Sequence, residues 1–577
     1  MLSTLCQAVA VWLLFLALFK LFKWRRFHNI ARNSGIPDFL SPIHLTDTWW
    51  LVFYPFFLPV LEKLPQSWTT PWLSVSQTWK LWKLGHQAFD DVKCNTFILA
   101  TPKGNMVWSA DPQVISQLFE QTSIAKMPAD LTQVYNIYGP NIGSSEGESW
   151  KKHRRVVTAG FNPSINAITW KESIHQTTTL IDRWLEEGSP IRSMREWTCR
   201  LALHVITLAF FSRRLGWNDY TDDHIPPPPG RKLSFEESIH TVISRLGLLF
   251  LTPKILLYTL PFKSYREARL AYSEWKIYMV ELRDQALARL DEIQAKPTRN
   301  LLESIVAAGS AGRAKSESQT LPKETIIPNI FFTIFAGHET TGNTTAFMLL
   351  LLAIYPDVQR RLQKQLDNQL RGRTRKQWTI EEDYPALIRG YMGAIMNESM
   401  RVYNVVAWQA RRTATDMPII DSKGNNFVIP RNTLCFLGIS AMLRDPNRWP
   451  EVKLSEERKR ELHHSPAMNF DTSRWLEEDG LTSRQEQDNF LPFGTGPRVC
   501  PGKALALIEM TAMLAALFKD HSLELVVDEQ RLEACDGDAE RAWNETRDES
   551  IRMLIDDIDT NTNIRLRKDL PVRVVQR

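Results

Sequence analysis

The chain has 577 residues, of which 44% are hydrophobic and 10% aromatic. This composition excludes a disordered chain, which would have few aromatic residues and a high net charge. The 70 basic and 65 acidic residues are interleaved and give a net charge of only +5, so no nucleic-acid partner is expected. Six cysteines in a chain of this length exclude a fold built on disulfides, and no two of them form the C-x-x-C pair of a zinc site.

Residues 5–19 form an apolar run at the N-terminus. Four basic residues follow this run: Lys20, Lys23, Arg25 and Arg26. A membrane span needs about 20 apolar residues, and snorkelling of Lys20 would extend the run to Trp24. By the positive-inside rule, the basic side stays in the cytosol. Residues 1–26 are therefore predicted to be a transmembrane signal anchor, with a buried core helix as the alternative.

Residues 27–83 are predicted to be a hydrophobic, proline-containing linker close to the membrane. Within it, residues 49–61 are rich in aromatic side chains, and Pro55 and Pro59 are expected to break the segment. Such a segment suits either the headgroup level of a membrane or the entrance of a hydrophobic cavity. Residues 246–260 are a second apolar stretch. It is interpreted either as a lip that dips into the membrane or as part of a substrate cavity.

Residues 84–577 are predicted to form one domain, mainly α-helical with small β-sheets. A hairpin is expected at residues 97–107 and a strand at residues 426–429. Helical periodicity is clearest at residues 181–185, 199–211 and 272–290. Surface insertions are predicted at residues 221–231, 307–322 and 452–468.

The strongest motif of the chain runs from Phe493 to Gly502, with three glycines and two prolines around Cys500. Such a turn leaves the sulfur bare at the start of the apolar helix that follows. There the helix N-terminus and Arg498 are expected to lower the pKa of the thiol. A thiolate in this position is either a nucleophile or a metal ligand.

This run resembles the haem-binding loop of the cytochromes P-450, F-x-x-G-x-R-x-C-x-G, and matches it at every fixed position. The resemblance implies haem b as the cofactor, with Cys500 as the axial thiolate ligand of the iron. Thiolate ligation favours O–O cleavage. The same likeness implies that Arg498 meets a haem propionate and that Phe493 shields the sulfur.

Residues 336–341, AGHETT, resemble the oxygen-binding signature A/G-G-x-D/E-T-T/S of the same family. The likeness implies that Thr340 holds dioxygen or a water and that Glu339 relays protons. A glycine, an acid and two threonines lower the stability of a helix, and threonine hydroxyls can bond back to main-chain carbonyls and open it locally. His338 is not expected to be catalytic, because the family leaves this position variable.

Three further residues are expected to form a buried ion triad with a structural role. Glu398 and Arg401 fit the family motif E-x-x-R, whose spacing places both side chains on one helix face. Residues 470–475 resemble the family motif F-x-P-x-R-F/W, with Thr472 in place of the proline. By that likeness, Arg474 completes the triad.

Two more motifs point to haem propionates. Trp150 and Arg154 fit W-x-x-x-R, which places the two side chains next to each other on one helix. Arg411 with Asp416 resembles the R-x-x-x-x-D strand of the family, and Arg412 is a neighbouring alternative. The resemblance implies that Trp150, Arg154 and Arg411 all bind the cofactor.

The likeness covers about residues 87–577 and extends to fungal members with a long N-terminal segment. It implies a haem-thiolate monooxygenase that inserts one oxygen atom of O2 into a lipophilic molecule, with fungal specialised metabolism as the expected pathway. The expected electron donor is a separate NADPH-cytochrome P-450 reductase, which Lys151 and Lys152 would meet, and cytochrome b5 is a second candidate. The expected location is the endoplasmic reticulum membrane, with the catalytic domain in the cytosol.

Three other functions stay open at this point. One is a haem-thiolate isomerase or dehydratase that needs no reductase, against which the pair Glu339 and Thr340 argues. A second is a hydroxylase of sterols or fatty acids in primary metabolism. A third is a membrane protein that binds haem or sterol without catalysis.

Overall fold

A computed structural model describes residues 2–77, 80–217, 227–296, 299–309, 322–449, 466–477, 490–560 and 563–577. These residues form a mainly α-helical fold with small β-sheets, as predicted. The prediction of one domain at residues 84–577 stays a prediction. The predicted insertions at residues 221–231, 307–322 and 452–468 lie largely outside the described residues.

The helices follow one another along the whole chain, and the labels used below number them in chain order. The first half contains α1 (Leu2–Arg32), α2 (Thr48–Leu61), α3 (Gln66–Ser76), α4 (Leu81–Leu84), α5 (Gln87–Asp90), α6 (Pro112–Glu120), α7 (Ala129–Thr132), α8 (Gly147–Thr158), α9 (Pro163–Glu187), α10 (Met194–Phe211), α11 (Phe235–Ser244), α12 (Leu246–Leu251) and α13 (Lys254–Thr259). The second half contains α14 (Lys263–Ala288), α15 (Leu290–Ala295), α16 (Leu301–Gly309), α17 (Ile326–Ile354), α18 (Pro356–Gln369), α19 (Asp383–Arg389), α20 (Tyr391–Val402), α21 (Ile439–Met442), α22 (Lys503–Phe518), α23 (Glu529–Ala534) and α24 (Ala539–Asp556).

The strands form one larger sheet and several two-stranded sheets. They are β1 (Asp38–Leu40), β2 (Thr96–Ala100), β3 (Asn105–Ser109), β4 (Ala125–Lys126), β5 (Gln409–Thr413), β6 (Met417–Ile420), β7 (Asn426–Ile429), β8 (Leu434–Leu437), β9 (His521–Leu525), β10 (Ile558–Asp559), β11 (Arg565–Leu566) and β12 (Val572–Gln576). The larger sheet has the order β1-β2-β3-β8-β5-β4, and the pairs β6-β7, β9-β12 and β10-β11 are antiparallel.

The elements expected from periodicity are present. β2 and β3 pair antiparallel, with Thr96 opposite Ser109, so the predicted hairpin is confirmed. The strand predicted at residues 426–429 is β7. The helical segments at residues 181–185 and 199–211 fall within α9 and α10, and the segment at residues 272–290 covers the second part of α14 and reaches the start of α15.

Helix α17 passes through the middle of the molecule. Most of its side chains are buried, including the apolar run from Phe347 to Ile354. A helix that is apolar around its whole circumference belongs in a core, and α10 packs along α17 while α9 packs along α22. These four helices form the frame on which the site is built.

The N-terminus differs from its prediction. α1 is a single helix of 31 residues, but its apolar run gives way to basic residues after Phe19. Among the described residues, no helix combines the length and the apolar character needed to cross a membrane, so the predicted transmembrane helix is not supported. The second expectation, that prolines break residues 49–61, is wrong, because α2 continues through Pro55 and Pro59. Both prolines lie on the exposed side of α2, where a missing main-chain hydrogen bond costs less than in a core.

Candidate functional site

A cavity of ≈ 340 Å³ lies between the Cys500 loop and the middle of α17. It is large enough for a small-molecule site, and apolar side chains predominate among its lining residues. Above it, the ring of Phe332 packs near Tyr135, and the ring of Phe335 packs against Phe250 of α12 at 5.6 Å between centroids. Part of the apolar segment at residues 246–260 therefore packs against α17 next to the cavity wall.

The Cys500 loop holds its shape through two glycines with positive φ. Gly494 has φ +70° and Gly496 has φ +68°, values that L-residues with a side chain rarely adopt. A Cβ on Gly496 would also stand 2.9 Å from the carbonyl oxygen of Phe119 on α6. The loop closes with a 3.0 Å hydrogen bond from the Cys500 amide to the Phe493 carbonyl, and Cys500 and Phe493 both line the cavity.

The acidity of Cys500 differs from the sequence-based expectation. Burial raises the pKa of the thiol, and this effect outweighs the main-chain N–H groups of Gly502 and Lys503 and the charge of Arg154, which lower it. The expectation of a lowered pKa is therefore wrong for the protein alone, because desolvation destabilises the thiolate more than the helix N-terminus stabilises it. A metal ion at the sulfur would reverse this balance, since a coordinating thiol is deprotonated by the ion itself.

Three arginines meet at one end of the cavity. Arg154 donates to the Val499 carbonyl at 2.8 Å, and Arg498 donates to the Ser145 carbonyl at 2.9 Å and pairs with Glu146. The guanidinium of Arg498 also lies 4.4 Å above the ring of Trp150. Trp150, Arg154, Arg411 and Arg498 all line the cavity, so the structure brings these predicted residues together.

Arg411 is the least compensated of these cations. It is 1% exposed and donates to the sulfur of Met127 and to the carbonyl of Ala410, while its Nε has no partner among the described residues. Burial and the charge of Arg498 lower the pKa of Arg411 to about 10. The alternative Arg412 points elsewhere and pairs with Asp130 at 2.7 Å.

A haem with two propionates fits this end of the cavity. Arg154, Arg411 and Arg498 bring three positive charges, and Glu146 is the one carboxylate found paired with them among the described residues. Two positive charges therefore stay without an anion, which is the charge of two propionates. Buried guanidinium groups such as those of Arg411 and Arg498 are stabilised by anionic partners.

The threonines of α17 bond back to main-chain carbonyls as predicted, but the predicted local opening is not seen, because α17 is continuous from Ile326 to Ile354. Thr340 donates to the Ala336 carbonyl at 2.6 Å, and Thr344 donates to the Thr340 carbonyl at 2.8 Å. Ala336, Gly337, Thr340, Thr341 and Thr344 all line the cavity. A Cβ on Gly337 would stand 2.6 Å from the side chain of Ile206 on α10, so the glycine also allows close packing of α10.

Glu339 does not line the cavity. Its carboxylate lies 3.4 Å from Arg195 of α10, and Arg195 also donates to Asn343 at 2.9 Å. The Glu339 side chain is 12% exposed and that of Arg195 is 30% exposed, so the pair lies between α17 and the surface. His338 is buried, its Nδ1 lies 3.0 Å from the Ile334 carbonyl, and burial lowers its pKa.

The structure also brings Glu398, Arg401 and Arg474 together. Arg401 donates to both oxygens of Glu398, at 2.7 and 2.8 Å, and Arg474 lies 3.5 Å from the same carboxylate. The Glu398 and Arg401 side chains are 0% exposed. Thr472, which replaces the family proline, shares a 2.9 Å hydrogen bond with Tyr391.

Sequence reasoning missed three residues at or near the site. Glu509 of α22 lines the cavity, and burial raises its pKa to about 8; the signal for it was a single carboxylate in an otherwise apolar helix. Asn404 lines the cavity after α20. Arg195 carried no signal, because its partner Glu339 lies 144 residues away.

A cysteine open to a buried cavity, facing a threonine-rich helix and flanked by unbalanced arginines, defines a site for haem held by a thiolate. The sequence profile described as Cytochrome P450 matches residues 65–538, and the chain belongs to this family. Members of the family bind haem iron through a cysteine thiolate, and the chain is a monooxygenase-type oxidoreductase.

Known relatives agree with this assignment. A cytochrome P450 monooxygenase of Arthrobotrys oligospora is 26% identical over 544 residues, which cover 89% of this chain and 90% of the relative. A phomenoic acid biosynthesis cluster cytochrome P450 monooxygenase of Leptosphaeria maculans is 24% identical, with 89% and 91% covered. The crystal structure of the cytochrome P450DA heme domain has the same fold, with a TM-score of 0.61, 18% identity, and 94% and 97% covered.

Proposed function

We propose that the chain catalyses an oxygenation step of fungal specialised metabolism on a lipophilic substrate. The observation that carries the proposal is that Cys500 lines the same cavity as Arg154, Arg411 and Arg498. A similarity to the phomenoic acid cluster protein supports the choice of specialised metabolism. Cys500 would ligate the haem iron, Phe493 would shield the sulfur, and the three arginines with Trp150 would hold the propionates.

Haem held by a thiolate supplies the oxygen-activating redox chemistry, and the chain positions substrate and protons around it. Thr340 stands in the cavity wall with its hydroxyl bonded to the Ala336 carbonyl, so a small rotation would free it to hold a water. Glu339 precedes it and faces Arg195, which is partly exposed. We assign to Glu339 the uptake of protons from this outer side and to Thr340 their delivery inside the cavity.

The proposed electron donor is a separate NADPH-cytochrome P-450 reductase, with cytochrome b5 as an additional donor. Lys152 on α8 and the exposed Lys503 at the start of α22 flank the Cys500 loop and suit an acidic partner, while Lys151 is already paired with Glu148. Lys152→Glu is expected to raise the KM for the reductase. An unchanged KM would contradict this docking face.

We also propose attachment to the endoplasmic reticulum membrane through α1, with the catalytic part in the cytosol. The exposed apolar side chains of α1, such as Trp12, Phe15 and Phe19, precede its basic residues. Apolar surface of this kind next to basic residues suits a membrane with anionic lipids. Removal of residues 1–26 is expected to move the protein from the membrane fraction to the soluble fraction, and an unchanged distribution would refute attachment through α1.

The decisive experiment is a carbon monoxide difference spectrum of reduced microsomes that contain the chain. We expect a strongly red-shifted Soret band, which Cys500→Ala abolishes and Cys94→Ala, at a half-buried cysteine outside the cavity, preserves. Haem incorporation without this band would refute ligation by Cys500. NADPH consumption that depends on the reductase separates a monooxygenase from a haem-thiolate isomerase or dehydratase, which needs no electrons.

A further inference from the structure

One polar side chain of the cavity wall has no role in the site described so far. Asn404 follows α20, is 3% exposed, and lines the cavity. Its Oδ1 has no hydrogen-bond partner among the described residues. A buried amide without a partner destabilises the folded protein, so its presence calls for a ligand that satisfies it.

Several other polar groups of the cavity wall already have partners. Thr333, Thr340 and Thr344 donate their hydroxyl groups to carbonyls of α17. The arginines form the cationic end of the cavity. Oε1 of Glu509 also has no hydrogen-bond partner among the described residues, but Glu509 belongs to α22, the helix that starts beside Cys500, and so stands on the side from which the sulfur ligand comes.

Asn404 stands in the wall with apolar neighbours. Val405 and Val406 follow it and also line the cavity, and the Val405 carbonyl is held by the amide of Ile564 at 3.0 Å. Gln409, at the start of β5, places a second amide in the same wall. An amide both donates and accepts hydrogen bonds, and a hydroxyl group is the small partner that does the same.

We infer that Asn404 is a specificity-determining residue that binds a hydroxyl group on an otherwise apolar substrate, with Gln409 as a second amide in the same wall. The inference rests on the proposed monooxygenase function and adds a substrate class to it. The substrate would arrive already carrying a hydroxyl group, so an earlier reaction that installs or exposes a hydroxyl would supply it. A site built around a buried amide rejects the analogue without the hydroxyl, because the amide then stays unpaired.

The test uses matched pairs of ligands, 1-dodecanol with dodecane and farnesol with farnesane, titrated against the haem-loaded protein by spectral shift. We expect at least one alcohol to bind about tenfold more tightly than its alkane, the ratio for one hydrogen bond of about 1.4 kcal/mol. Asn404→Leu should reduce that ratio to about one. Asn368→Leu, the same change on the exposed side of α18, should leave the ratio as in the parent.

Two further readouts separate this inference from other roles of Asn404. In the haem-free protein, Asn404→Leu should raise the urea midpoint of unfolding, because it removes an unpartnered amide; a lowered midpoint would show a structural role and overturn the inference. A loss of haem affinity in Asn404→Leu would assign the amide to a propionate, which also overturns it. Equal affinity for alcohol and alkane in the parent protein, or no binding of any alcohol, overturns it as well. A normal carbon monoxide spectrum and reductase-dependent NADPH consumption in the same samples show that the proposed function stands even then.

Discussion

The buried carboxylate of Glu398 offers a sharp test of what holds the cavity wall in place. Each of its oxygens accepts two hydrogen bonds. One oxygen accepts from Arg401 and the indole of Trp475, at 2.7 and 2.9 Å, and the other accepts from Arg401 and the amide of Asp471, both at 2.8 Å. Glu398→Gln keeps the shape of the side chain but turns one of these oxygens into an NH2 group that faces two donors.

The magnitude follows from these contacts. At least two hydrogen bonds are lost, and Arg401 loses the carboxylate with which it is buried. Breaking a buried ion pair on one side costs about 3–5 kcal/mol, because the remaining charge stays desolvated. We therefore expect Glu398→Gln to lower the free energy of unfolding by about 4 kcal/mol.

The assay is urea unfolding followed by tryptophan fluorescence, with the slope of the transition checked for each variant. Glu381→Gln, on an exposed carboxylate, is the control and is expected to change stability by less than about 0.5 kcal/mol. Arg401→Met and the double variant complete a cycle, in which the double variant should lose clearly less than the sum of the single losses. A loss below about 1 kcal/mol for Glu398→Gln, or additive losses in the cycle, would refute the reasoning.

Three other expectations concern substitutions of single residues. Arg411→Met should stabilise the haem-free protein by about 1–3 kcal/mol, because burial and the charge of Arg498 disfavour the cation. The same change should weaken haem binding at least about tenfold. Urea unfolding measures the gain in stability, and haem titration measures the loss of affinity. Gly496→Ala should cost at least about 2 kcal/mol and reduce haem content, because its φ is +68° and its Cβ would meet the carbonyl of Phe119. Burial lowers the pKa of His204 to about 3, so between pH 6.5 and 3 the unfolded chain binds a proton at this residue that the folded chain does not. This difference should lower the free energy of unfolding by about 2 kcal/mol from pH 7 to pH 5. Urea titrations at both pH values should show that His204→Gln removes this part of the pH dependence.

The residues that could be predicted from sequence are those whose partners are encoded in short motifs. Glu398 and Arg401 are three positions apart on one helix, and Trp150 and Arg154 are four apart, so helical geometry alone brings each pair together. The Cys500 loop is similarly local, because its turn depends on glycines next to the cysteine. The predicted lowering of the Cys500 pKa was wrong because this pKa does not depend on local sequence alone. The desolvation that raises it comes from elements far along the chain.

The neighbours of Glu339 and Asn404 show where such prediction ends. Arg195 meets Glu339 only because α10 packs along α17, and Gly342 permits this approach, since its Cβ would stand 2.5 Å from the main chain of Cys199. The polarity of Asn404 matters only because the folded wall leaves its amide without a partner. A motif can therefore identify the chemistry of this site, but the packing of the helices sets the surroundings on which the proposed roles of Glu339 and Asn404 depend.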